Sequence, residues 1–320
     1  MGINKENKIY KYTSLESAIK ILKNNSVKLE FPNNYNDPFD SAIDIRQKDI
    51  DKSLGIITEY YVAQEFLKLL NNKDIKVKKH VRIIMDIDIF LLKLYLNTNR
   101  KNKYYDSIPM MRCIAKLIIK IYKKHNVDEF NNTFKSQSEL LFETIKEFRN
   151  KALISCFSKR NDSILMWSHY ANDHKGVCIE YTRPKKEFLD VQYRKNICLF
   201  DLEYITRKYL GHLLSNEKID MGNKYFIKRI IRPFTIKSRD WKYEEEVRCV
   251  FTKESKDVYL NENHYLFKMP SLPTKIFIGC KVDKKSEAYR TLIKEASNKE
   301  IKIIEMEASE TKFAVIPNEN

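Results

Sequence analysis

Polar and apolar residues alternate over 8–12 and then recur at helical spacing at Ala18, Ile19 and Leu22. This pattern predicts a short strand, a Thr13–Ser14 cap and a helix over 15–23. Residues 27–31 predict a second strand, and the Asn-rich stretch 32–38 a turn. From 56 to about 151 the periodicity becomes helical, with helices expected at 56–70, 81–96, 111–124 and 138–148, joined by polar stretches such as NTNRKNKYYD. Strand character returns at 152–157 and 176–181, on either side of a helical stretch at 163–170. Helices at 202–214 and 224–231 follow, then strands at 245–251 and 275–279, a helix at 286–296, and strands at 301–305 and 312–316.

Strands therefore flank a helical middle, and neither a repeat nor a flexible linker divides them. The expected architecture is one α+β domain over 1–320, built on a mixed or split antiparallel sheet, with a helical insertion at about 56–151.

Composition narrows the setting. A hydrophobic fraction of 43% with 19 Tyr and 17 Phe is enough for a packed core. The first ten residues carry charge and no apolar run of the kind a secretory signal needs. The oiliest segment, 81–96, is broken by Arg82, Asp86, Asp88 and Lys93. The expectation is a cytoplasmic protein with no membrane partner. The six cysteines are scattered without a CxxC pair, which favours free thiols over disulfides or a thiolate metal centre. The net charge of +16 predicts attraction to DNA or RNA, and the segment 111–124 carries Arg112, Lys116, Lys120, Lys123 and Lys124 without an acid.

Candidate chemistry concentrates in three segments. In SCFSKRNDSILMWSHYANDHKGVCIEY, alternation puts Ser155 and Phe157 on one strand face and Cys156 and Ser158 on the other, with Asp162 or Ser163 capping the next helix. Met166 and Trp167 read as core. His169 and Tyr170 each join an apolar body to a polar atom that needs a partner, which suits a ligand role. His169 and His174 have no third ligand at metal-site spacing, so no metal is expected. Gly176 reads as a tight helix-to-strand turn.

In WKYEEEVRCV, an extended backbone over 244–250 puts Glu244, Glu246 and Arg248 on one face. Two carboxylates on a wet strand face can divide labour, one orienting a nucleophile and one stabilising positive charge, while Arg248 either holds Glu246 or pairs with phosphate. The alternative is a charged edge strand kept soluble by those same residues. Near the start, Lys11, Tyr12 and Thr13 lead into the first helix, and NDPFD, residues 36–40, reads as a structural turn.

Taken together, YKYTS, FPNNYNDPFD, the CFS, MWSHYA and HKGVCIEY pieces, and WKYEEEVR resemble the bacterial family known as domain of unknown function 2971. More distantly they resemble the ADP-ribosyltransferase fold. That resemblance implies an NAD-using transferase or NAD glycohydrolase. Lys11 would stand where DNA-modifying members carry histidine, and Tyr12 and Thr13 would flank it. Phe157 and Ser158 would form the middle motif, with Tyr170 and His169 on the following helix. Glu246 would be catalytic, Glu244 would orient the acceptor, and Arg248 would lie beside them. The implied role is a toxin or antiviral effector that modifies nucleic acid, with an unidentified neutralising or regulatory protein as a further partner. Two competing readings are a non-catalytic nucleic-acid-binding or interaction module, and a metal-dependent nuclease built on Glu244, Glu246 and an acid near Asp37 or Asp40.

Overall fold

A computed structural model of the chain describes residues 8–58, 127–184, 188–206 and 224–318. The chain divides into two compact units, one formed by 1–43, 147–198 and 231–320 and the other by 44–146 and 199–230. The expected insertion at 56–151 falls mostly in the second unit, which also takes in 199–230. Within that unit the described helices are at 47–58, through most of Val127–Arg149, at 202–206 and through most of Lys224–Ile231. The expected helices at 81–96 and 111–124, the basic one included, lie outside the described residues, as do the greater parts of those at 56–70 and 202–214.

The strands, in chain order, are β1 (Lys8–Thr13), β2 (Ser26–Leu29), β3 (Ile43–Asp44), β4 (Leu153–Ser158), β5 (Val177–Thr182), β6 (Phe188–Asp190), β7 (Gln192–Arg194), β8 (Cys198–Leu199), β9 (Ile236–Ser238), β10 (Glu246–Phe251), β11 (Val258–Asn261), β12 (His264–Lys268), β13 (Lys275–Ile278), β14 (Lys302–Ala308) and β15 (Val315–Pro317). Eight of them form the mixed sheet of the first unit, in the order β15, β14, β13, β5, β1, β4, β10, β6. Its one parallel pair is β13 with β14. This is an α+β architecture, as expected.

Short local signals explain the helices around the sheet. Ser14 alone caps the helix Leu15–Asn24 by accepting from the Ser17 N–H, and Leu15, Ala18, Ile21 and Leu22 form its buried stripe. Ser163, not Asp162, caps Ile164–Tyr170, and Ser286 caps Glu287–Ser297 in the same way. The first and last of these helices pack against each other on one face, over a core that includes Ile9, Phe157, Ile179 and Val247. Ile164–Tyr170 covers the other face, where Met166 and Trp167 join Tyr12, Cys178 and Phe277.

One junction in the sheet is incomplete. β1 pairs with β5 along its whole length, from Lys8 with Thr182 to Thr13 with Val177. β4 likewise pairs with β10 from Leu153 to Ser158. Between β1 and β4 there is a single residue pair, Tyr10 with Ser158. On the same edge of β4, Ile154 instead bridges to Glu30. The strands diverge around Cys156.

Two local expectations change. Glu244 is not part of a strand: Arg239–Glu244 is a 3-10 turn, Glu245 closes it in the left-handed region with φ 45°, and the strand starts at Glu246. Nor is this strand a wet or edge element. β10 lies between β4 and β6, and its residues 246–249 are buried on both faces.

Candidate functional site

The divergence of β1 from β4 opens a cavity of about 760 Å³ lined only by residues of the first unit. Its walls come from both faces of the sheet, since they include Ile21 of the first helix and Met166 and Tyr170 of the helix opposite. A volume of this size lies within the roughly 300–1,000 Å³ range of small-molecule sites.

Along it lies a buried network of charges. Arg248, wholly buried, is held on two sides. Its Nε and one terminal nitrogen donate to Glu246 at 2.6 and 2.9 Å, and its two terminal nitrogens donate to Asp40 at 2.7 and 2.5 Å. A further bond reaches the Phe234 carbonyl at 3.0 Å. Two facing carboxylates suit the planar guanidinium fork. Lys237 on β9 adds a second cation. Its ammonium donates to Glu244 at 2.5 Å and to Glu246 at 3.2 Å, and lies 3.7 Å from Asp40. Tyr170 donates its hydroxyl to the other oxygen of Glu244 at 2.6 Å. Tyr193, paired with Lys237 across the parallel β7–β9 contact, accepts the Glu246 backbone N–H at 2.7 Å.

The two glutamates share this network but differ electrostatically. Burial alone would raise the Glu246 carboxyl, yet Arg248 and Lys237 hold it down at about 2, so it stays ionised. For Glu244 burial prevails. With the Glu246 charge adding to it, its carboxyl is raised against the opposing pull of Lys237. Lys237 is itself held protonated by Glu246 and Glu244 against the desolvation that would release its proton. Counted as formal charges, three carboxylates against two cations leave one negative charge when Glu244 is ionised and none when it is protonated.

Most of these network residues lie within a recognisable family segment. Residues 166–249 match the family described as Protein of unknown function (DUF2971). The DUF2971 segment supplies Tyr170, Tyr193, Lys237, Glu244, Glu246 and Arg248, whereas Asp40, Lys11 and Ser155 come from outside it. No curated protein and no solved structure matches the chain.

The remaining sequence-selected residues take several kinds of place around the DUF2971 segment and its partners. Lys11, Tyr12, Thr13, Phe157, Ser158, Tyr170, Glu244 and Glu246 all line the cavity. The Ser158 hydroxyl donates to the Glu244 carbonyl at 2.6 Å and accepts the Arg160 N–H, which fastens the turn carrying Glu244 to β4. Phe157 packs in the core with Tyr181 and Phe188 at its edges. Tyr12 stands edge-on to Trp167 and donates to the Arg160 carbonyl. His169 is exposed and outside the cavity lining. Arg248 is also outside that lining, and its contacts are those of a residue that holds Glu246.

Sequence reasoning missed Lys237 and Tyr193, and it named Asp40 only as one of two candidate acids in the nuclease reading. Lys237 precedes the WKYEEEVR motif by four positions, and a lysine so close to two glutamates is a usable signal. Asp40 lay inside a motif read as a turn. Asp37 does make that turn, accepting the Phe39 N–H at 2.8 Å, but Asp40 points into the charge network. Gly176 was expected to serve a tight turn. The left-handed positions there are Asn172, Asp173 and His174, and Gly176 is required for space, because a Cβ would lie 2.2 Å from the Thr13 carbonyl oxygen.

Among the described residues, no group of three or more His, Cys, Asp or Glu side chains could hold a metal ion, and no helix is long and apolar enough to cross a membrane. The described cysteines, Cys156, Cys178, Cys198, Cys249 and Cys280, are free thiols.

Proposed function

We propose that the chain is an ADP-ribosyltransferase-like enzyme that breaks the nicotinamide–ribose bond of NAD and passes the ribosyl group to an acceptor, or to water. One observation carries the reading: two glutamates line a single cavity in opposite electrostatic states. Pairs of acids whose environments drive them apart mark a division of catalytic labour. Glu246, held ionised by Arg248 and Lys237, suits stabilisation of positive charge developing at an anomeric carbon. Glu244, more easily protonated, suits removal of a proton from an acceptor hydroxyl. With Glu244 ionised, the single excess negative charge also favours a cationic ring such as the pyridinium of NAD. Tyr170 and Lys237 hold Glu244 in place, and Arg248 holds Glu246. Lys11, Tyr12 and Thr13 contribute cavity wall.

Nucleic acid is the acceptor class we favour, on the net charge of +16. A toxin or antiviral effector is the cellular role that goes with it. The competing nuclease reading gains Asp40 as a third acid near the glutamates. It loses ground because Lys237 and Arg248 already occupy the positions between those acids that a divalent ion would need.

The test is incubation of the purified chain with nicotinamide-labelled and adenylate-labelled NAD, with DNA, RNA and protein pools supplied separately. Nicotinamide release is expected in the wild type, with loss of at least about 100-fold in Glu246→Gln. Tyr170→Phe, which removes only a hydroxyl, is expected to lower transfer more mildly and to keep the fold. Absence of both release and transfer across all pools sinks the reading.

A further inference from the structure

We propose that Lys11 is a carbonyl-reactive amine that condenses with an aldehyde entering the cavity, making this residue a covalent modification site. The argument begins at the strand divergence. Cys156 sits between the bridge of Ile154 to Glu30 and that of Ser158 to Tyr10, in the stretch where β4 has no strand on that side. Lys11 fills the gap with its side chain. Its Nζ donates to the Cys156 carbonyl at 2.9 Å and to the Ser155 hydroxyl at 3.1 Å, and stands 5.2 Å from the centre of the Phe157 ring.

Those two acceptors match the two N–H bonds of a neutral amine and leave its lone pair uncommitted. Among the described residues, no carboxylate is in ion-pair contact with Lys11, unlike Lys237, which touches three. An amine desolvated beside an aromatic ring and without a counter-ion is the kind that serves as a Schiff-base nucleophile. Burial shifts Lys11 towards the neutral form, against the weaker pull of the Glu246 carboxylate. Because Lys11 lines the cavity, a ligand there can reach it.

The step balances without an added reagent. The Nζ lone pair forms a bond to the carbonyl carbon, the two N–H protons of the amine pass to the carbonyl oxygen, the C–O bond breaks as that oxygen leaves as water, and a C=N imine remains. The reaction proposed above supplies a suitable aldehyde, since hydrolysis of NAD leaves a ribose whose ring-opened form carries one at C1. Assignment of that sugar rests on the NAD reading, whereas the reactivity of the amine does not.

The experiment uses the wild-type chain, so that no variant has to fold. The protein is treated briefly at pH 7 with formaldehyde and cyanoborohydride, which traps imines as methylated lysine, and each lysine is quantified by peptide mass spectrometry. Lys20 and Lys28 line the same cavity and serve as internal references for access. Lys11 is expected to be methylated at least about tenfold faster than either, as a larger neutral fraction requires. Methylation at or below their rate overturns the proposal. In a second arm ADP-ribose replaces formaldehyde. An adduct on Lys11 supports the sugar as its carbonyl partner, and labelling by formaldehyde without any ADP-ribose adduct overturns that assignment while leaving the reactive amine intact.

Discussion

Arg248 is the residue on which the site depends. A buried guanidinium between Glu246 and Asp40 is stable because each of the three offsets the desolvation of its neighbours, and removal of one member leaves uncompensated charge. Arg248→Met is therefore expected to lose about 3–5 kcal/mol in urea unfolding, even though methionine is apolar and of similar length. Ser14→Ala, which removes only a helix cap, is expected to lose about 1 kcal/mol. The glutamates predict two opposed pH effects. Glu246 is depressed to about 2 from 4.5, so its stabilisation is present above 4.5 and is lost as the pH falls towards 2. Glu244 is raised, so its contribution is full below 4.5 and is lost as the pH rises through its folded value. Urea midpoints of Glu246→Gln should thus lose the acid-side dependence, and those of Glu244→Gln the dependence above 4.5. The reverse assignment would refute the division of roles. Sequence reading reached both glutamates and Arg248 through i, i+2 alternation, but it put them on a wet face. Nothing in the local pattern reports that Asp40 arrives from a distant segment and, with Lys237 from just before the motif, neutralises that face and allows it to be buried.

At the level of elements, the decisive feature is the unequal pairing of β1 and β4. Both strands were legible from alternation, because a pleated strand with one apolar face has a period that survives in the sequence. Their divergence was not, since register and partner choice depend on which edges meet. The loop between Ile164–Tyr170 and β5 is similar. A glycine there was legible as a constraint, but its cause is the approach of the Thr13 and Ala171 carbonyl oxygens. Gly176→Ala should accordingly destabilise the chain by roughly 1–3 kcal/mol, as overpacking against rigid backbone does. Because the clash is with the end of β1, where the strand leads towards the cavity, the same variant is expected to weaken ligand binding as well. A neutral effect on thermal unfolding would show that β1 can move aside.

For the whole molecule, charge leads to a separate prediction. A chain of net charge +16 should retain DNA or RNA at low ionic strength, with the logarithm of affinity falling linearly as the logarithm of salt rises. Filter binding across a salt series checks this. Binding that persists in Glu246→Gln while NAD cleavage is lost would separate the surface that attracts polyanions from the site that performs chemistry. Binding in the absence of any NAD turnover in the wild type would favour a non-catalytic interaction module. The segment 111–124 carries five basic residues and no acid, and neutralising its lysines should flatten the salt dependence.

The sequence by itself determined the α+β class, most of the longer strands and capped helices, and most of the residue types of the candidate site. Each of these is written in short-range periodicity, in capping residues or in local charge. Only the tertiary structure decided that Glu244 and Glu246 differ, because the difference comes from Lys237, Arg248, Asp40 and Tyr170 packed around them. It also decided that Lys11 stands in a gap between strands, with no carboxylate in ion-pair contact among the described residues. Burial and counter-ion placement are properties of segments far apart along the chain, and they become defined only when those segments meet.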